Sequence, residues 1–110
     1  VIDKADKKYL DLFALDSAEF DFISRVLTER RRQDERWGGP THDDEHAYVD
    51  WLRFIRQQLY SIMYVPGTRA ELDDAVRDPK NLEAFCSRMV KIAALAMAAT
   101  QSARRKAKQK

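Results

Sequence analysis

This chain has few cysteines, glycines, prolines and histidines, and no long apolar run. Its single cysteine, Cys86, excludes an internal disulfide and favours a reducing compartment. Three glycines and three prolines in 110 residues leave little material for the many tight turns of a small β-protein. No apolar stretch approaches the roughly 18 residues that a membrane-crossing helix needs. The first residues lack a basic-then-apolar export pattern, so the expected location is the cytoplasm (of a host cell, if the chain is phage-encoded). What is abundant is apolar residues at 45% and charged residues at 35%, the balance of a one-domain helical protein. The net charge of +2 is uneven. Arg104, Arg105, Lys106, Lys108 and Lys110 cluster at the end, and the remainder is mildly acidic. Nucleic acid is therefore not expected as a partner beyond that tail, nor is a membrane.

Apolar spacing divides the chain into helices. Residues 1–16 read as an arm or short helix with Ile2, Leu10 and Phe13 on its apolar side. Residues 17–103 read as a bundle of four main helices, and 104–110 as a basic tail. The first bundle helix spans about 17–37. Asp16 and Glu19 have capping-box spacing, and Phe20, Ile23 and Leu27 form a stripe that Val26 widens. Gly38-Gly39-Pro40 ends it. The next helix is expected to start at Asp43 or Asp44, either of which can cap it. Tyr48, Trp51, Leu52, Ile55, Leu59 and Met63 then recur at i, i+3, i+4, i+7, with Phe54, Tyr60 and Ile62 as a second edge, until Pro66-Gly67. Thr68-Arg69-Ala70-Glu71 opens a short helix with Leu72, Ala75 and Val76 inside, closed by Asp78-Pro79. The last helix covers about 81–102. Leu82, Phe85, Met89, Ile92, Ala96 and Met97 form its main stripe, bordered by Val90, Ala93 and Ala94. The small residues of 92–99 allow close helix approach, which suggests an extra neighbour from a second subunit. Cys86 is read as a small core residue.

Chemistry concentrates in residues 29–46, ERRRQDERWGGPTHDDEH. His42, Asp43, Asp44 and His46 form a candidate metal set, with Asp50 one turn on; a transition ion suits His nitrogen with one or two carboxylates. The alternative is that Asp43 and Asp44 cap a helix and favour its positive end. Glu29, Arg32, Gln33 and Arg36 lie in a mixed-charge helix end. They serve either as a solvated face with internal ion pairs or as phosphate-binding groups. Trp37 either stacks on a base or plugs the bundle end. Arg53 and Arg56, with Gln57, project either into a cleft or outward.

The pattern Glu29-Arg30-x-Arg32-Gln33-x-x-x-Trp37-Gly38, followed by His42-Asp43-Asp44 and Trp51-Leu52, resembles small phage and prophage proteins. These are similar to MazG-like, all-α nucleoside triphosphate pyrophosphohydrolases. The resemblance spans about residues 24–105, including the Ala-rich last helix. It implies an all-α bundle, dimeric or tetrameric, that binds a nucleotide with Mg²⁺. The family holds Mg²⁺ on Glu-Glu-x-x-Glu and Glu-x-x-Asp motifs. Here the helix after Trp51 reads Arg53-Phe54-Ile55-Arg56-Gln57-Gln58, without acids. A hard dication needs several carboxylate oxygens.

The leading expectation is a nucleotide-binding protein rather than an enzyme, one that binds or sequesters its ligand. Its binding residues would be Glu29, Arg32, Gln33, Arg36, Trp37, His42, Asp43, Arg53 and Arg56. The sequence specifies no cofactor; Mg²⁺ or a transition metal are the candidates. Homo-oligomers are expected. Two alternatives stay open. One is an inhibitor of a host defence protein acting through Tyr60, Tyr64 and the N-terminal arm. The other is a metal-dependent nucleotide pyrophosphohydrolase using His42, Asp43, Asp44 and His46.

Overall fold

The computed structural model describes residues 15–63, 69–75 and 77–109. Apart from Leu15 and Asp16, the N-terminal arm lies outside the described residues, as do Tyr64, Pro66-Gly67, Thr68 and Val76. The described chain is all-helical: α1 (Ser17–Trp37), α2 (Gly39–Asp43), α3 (Tyr48–Met63), α4 (Arg69–Ala75) and α5 (Pro79–Lys108).

Local chemistry explains most helix ends. Asp16 accepts from the Glu19 backbone N–H at 2.8 Å, and Glu19 accepts from the Asp16 N–H in return, so the capping box forms as the spacing predicts. Gly38 closes α1 at φ 104°, a left-handed conformation that suits glycine. The Gly-Gly-Pro segment does more than break the chain. Pro40 fits the first turn of α2, so His42 and Asp43 ride on a separate one-turn helix. The long helix α3 starts at Tyr48, not at Asp43 or Asp44. Asp50, inside its first turn, accepts the Ala47 N–H at 2.8 Å, the back-bond of a capping box. Asp78-Pro79, expected to stop α4, also starts α5: Asp78 accepts the Lys80 N–H at 2.9 Å.

Helix α5 is the spine, with both α1 and α3 packed along it and α2 bridging α1 to it. Side-chain pairs give the directions. Arg25 of α1 meets Glu83 early in α5, while the α2 corner meets Ser102 and Arg105, so α1 runs parallel to α5. Gln58 of α3 meets Arg88 whereas His46, just before α3, meets Lys106, so α3 runs antiparallel to it.

The buried seam of α5 is Val90, Ala94, Ala98 and Ser102, one i, i+4 ridge. Val26 packs against Val90 and Ala94, with Ala93 and Met97 at the border. Ala94 is fully buried, at 0% exposure. The seam corrects the expected one. On α5 Leu82, Phe85 and Ala96 of the expected stripe are exposed and Met89, Ile92 and Met97 half-buried, while Val90 and Ala94, expected at its border, are buried. On α1, Ile23 and Leu27 are each 41% exposed, while Val26 and Arg30 face inward. The inner face of α1 thus turns polar towards its C-terminus. There α1, α2, α3 and α5 border a cleft. Ala75, expected on the inner face of α4, is exposed.

Candidate functional site

The cleft measures about 460 Å³. Helix α1 contributes Glu29, Arg30, Arg32, Gln33, Arg36 and Trp37. The α2 corner adds His42, Asp43 and His46; α3 adds Trp51, Phe54, Gln57 and Gln58; α5 provides Lys91 and Leu95. The chemistry-rich stretch 29–46 thus folds around one cleft. Glu29, Arg32, Gln33, Arg36, Trp37, His42 and Asp43 all line it.

Arg53 and Arg56 do not. Arg53 pairs with Asp50 at 3.4 Å and sits over the Phe54 ring. Arg56 donates to the Tyr60 hydroxyl at 2.7 Å. The helical turn that brings Phe54 and Gln57 to the cleft carries both arginines round to the outer side.

One corner of the cleft is rigid. The Arg30 guanidinium donates to Asp43 at 3.1 Å, Asp34 at 3.2 Å and Gln33 at 3.1 Å. The side chains of Arg30 and Asp43 are only 10% and 9% exposed. This buried pair ties the α2 corner to α1. A second tie reaches α5. Asp44 accepts from Ser102 Oγ and from Arg105 Nη2, each at 2.8 Å. The Arg105 guanidinium, then the Ser102 hydroxyl, hold the Asp44 carboxyl below its ordinary range. Lys106 donates to the His46 carbonyl. Helix α5 runs past its expected end at Ser102 to Lys108, with Arg105 and Lys106 docked under the corner and Arg104 and Lys108 exposed.

The expected metal set divides for the same reason. His42 and His46 converge, with Nε2 atoms 3.2 Å apart. Asp43 turns to Arg30, and Asp44 to Arg105 and Ser102. Among the described residues no three His, Cys, Asp or Glu groups gather at one point. The arginines hold both carboxylates away from the two histidines.

Charge and aromatic surface define what remains. Arg32 is held by Glu29 through two contacts of 2.7 Å, and its guanidinium keeps the Glu29 carboxyl below the ordinary range. Arg36 lies over the Trp37 ring at 5.0 Å. Among the described residues neither Arg36 nor Lys91 makes an ion pair. Trp37 is 53% exposed and stacks on His42 with centroids 6.0 Å apart, so it forms the rim of the cleft instead of a plug in the bundle. Trp51 and Phe54 form the facing aromatic wall, edge-on to His46 at 5.2 and 5.0 Å.

Lys91, Arg30 and Phe54 were not among the residues expected in a site. For Lys91 a signal exists: it is the one charge in the run MVKIAALAMAA, residues 89–99. A lone lysine inside a packing helix has to reach a polar space. Comparison with known proteins finds no matching family model, no matching curated protein and no matching solved structure.

Proposed function

We propose that the cleft binds a nucleotide or a nucleotide-like phosphate ester and holds it without hydrolysing it, on a bundle of MazG-like architecture. The observation that carries this reading is the pairing of aromatic walls with two cations, Arg36 and Lys91, that make no close ion pair among the described residues, Lys91 acting on the Glu29 carboxylate only at longer range. Arg36 and Lys91 line the space that an anion would enter, while exposed Trp37 and half-buried Phe54 offer aromatic surface to a base, with Trp51 buried behind Phe54 and His46. The volume falls within the range of small-molecule sites, about 300–1,000 Å³. Hydrolysis on the family's pattern calls for a carboxylate cluster. The two carboxylates lining this cleft, Glu29 and Asp43, are each engaged by an arginine. Binding without turnover amounts to sequestration, a role that fits the resemblance to phage proteins.

The test is a thermal-shift screen of nucleotides, each with Mg²⁺ or with a chelator, alongside an assay for released phosphate and pyrophosphate. Stabilisation in chelator without release is expected. At a hundred times the dissociation constant a ligand adds about 2.7 kcal/mol of stability. No shift with any nucleotide overturns the reading. Shifts confined to Mg²⁺, or sustained release, favour the hydrolase instead.

A second reading concerns apolar surface that the described residues leave uncovered. Ile23 and Leu27 share one face of α1, and Leu82 and Phe85 one face of α5. Both pairs were expected inside, and a second copy of the chain would cover them. The inhibitor alternative rests on Tyr60, which is exposed, and on Tyr64 and the arm, which lie outside the described residues.

A further inference from the structure

His42 and His46 are the chain's two histidines, and both line the cleft. They are four residues apart without sharing a helix, since His42 rides on α2 and His46 lies in the turn before α3. Their Nε2 atoms nevertheless come within 3.2 Å. Two nitrogens on one tetrahedral ion, with bonds of about 2.0–2.1 Å, lie about 3.3 Å apart. The rings are braced from outside. Trp37 stacks on His42, and Trp51 and Phe54 meet His46 edge-on. The corner itself is anchored by Arg30 to Asp43 and by Arg105 to Asp44.

We propose that His42 and His46 form a two-point chelate for a borderline divalent transition ion, such as Zn²⁺, Ni²⁺ or Co²⁺, at the corner of the cleft. Imidazole nitrogen suits these ions, whereas Mg²⁺ and Ca²⁺ take oxygen ligands. This differs from the four-residue set expected from sequence, because the neighbouring carboxylates belong to arginines. With two ligands from the protein, the ion keeps positions for water or for the oxygens of a cleft ligand. The ion needs the Nε2 lone pair of both rings, so each ring carries its proton on Nδ1. The competing arrangement is a hydrogen bond in which one Nε2–H donates to the other Nε2. Going from that bond to the chelate shifts one ring's tautomer and releases no proton.

The chelate is independent of nucleotide binding, and the test uses metal ions alone. The full chain, carrying Cys86→Ser to remove the thiol, is titrated with NiCl₂ and ZnCl₂ by calorimetry. One ion per chain is expected, with affinity falling more than about tenfold in His42→Ala and in His46→Ala. Circular dichroism checks that each variant is folded. In the chain with both histidines, Ni²⁺ is expected to broaden the NMR ring signals of both. That readout holds even if a histidine variant fails to fold. MgCl₂ is expected to leave the rings unchanged. Affinity unaltered by either substitution, or ring signals indifferent to Ni²⁺, overturns the chelate.

Discussion

Replacing Asp43 by alanine leaves Arg30 buried with its main partner gone. In the native chain the Arg30 side chain is 10% exposed and Asp43 9%, at 3.1 Å. Removing one member of a buried ion pair costs about 3–5 kcal/mol, because the other charge stays desolvated. Arg30 keeps Asp34 at 3.2 Å and Gln33 at 3.1 Å, so the cost belongs at the low end, about 3 kcal/mol. For a domain of this size that is a fall of about 10–20 °C in Tm. Asp34→Ala removes a partner that is 39% exposed and should cost only about 0.2–1 kcal/mol. The contrast between the two alanines isolates burial, since both remove a carboxylate from the same guanidinium. Replacing both members, Arg30→Met with Asp43→Leu, should recover most of the loss. Urea unfolding followed by far-UV circular dichroism measures all four proteins, with an unchanged m-value as the check on two-state behaviour. If Asp43→Ala costs no more than Asp34→Ala, the pair does not anchor the corner. A double variant as unstable as the single would mean that apolar groups cannot fill the site.

Three further outcomes follow from the same geometry. The Asp44 and Glu29 carboxyls are both held below their ordinary range, so the unfolded chain binds protons first as the pH falls. Their contribution is complete above the unfolded carboxylate pKa values of about 4, and is lost as the pH drops through the lower folded values. Asp44→Asn should flatten an acid-unfolding profile; a profile identical to the wild type's refutes the Arg105 tie. Gly38→Ala should cost about 1–2 kcal/mol in urea unfolding, purely from its positive φ, because the added Cβ meets His42 Cβ at an ordinary 3.6 Å. A neutral result would mean that the corner relaxes. Sedimentation equilibrium should find self-association that Ile23→Glu or Phe85→Glu weakens, while a monomer at high concentration removes the second-copy reading.

Features set by neighbouring residues were legible in the sequence. The Asp16–Glu19 box needs only a few consecutive residues, and so does the end of α1 at Gly38. The rotation of each helix was not legible, because both faces of α1 and of α5 carry apolar residues. The stripe of larger side chains on α5 looked like the core, yet the ridge of small residues from Val90 to Ser102 is what lets α1 approach. The Gly38-Gly39-Pro40 signal was read as a break, although Pro40 also suits a helical first turn. That small difference placed Asp43 on α2 and Asp44 at its end, so α3 starts only at Tyr48. The contacts of the basic tail were not legible, because the partners of Arg105 and Lys106 lie about 60 residues earlier. Site chemistry was easier to read than site direction: residues 29–43 were legible as a cluster, whereas the outward turn of Arg53 and Arg56 depends on how α3 sits on α5.

The most direct measurement is calorimetric titration of nucleotides in the presence of a chelator, comparing the wild type with Lys91→Met and Trp37→Ala. Lys91 reaches the cleft from α5 and Trp37 forms its rim, and neither belongs to the buried seam. The account predicts binding of a phosphate-bearing nucleotide to the wild type, weakened about tenfold or more by each substitution, an effect of about 1.4 kcal/mol, with folding intact. Binding unchanged by both substitutions, or seen only when Mg²⁺ is present, would contradict it.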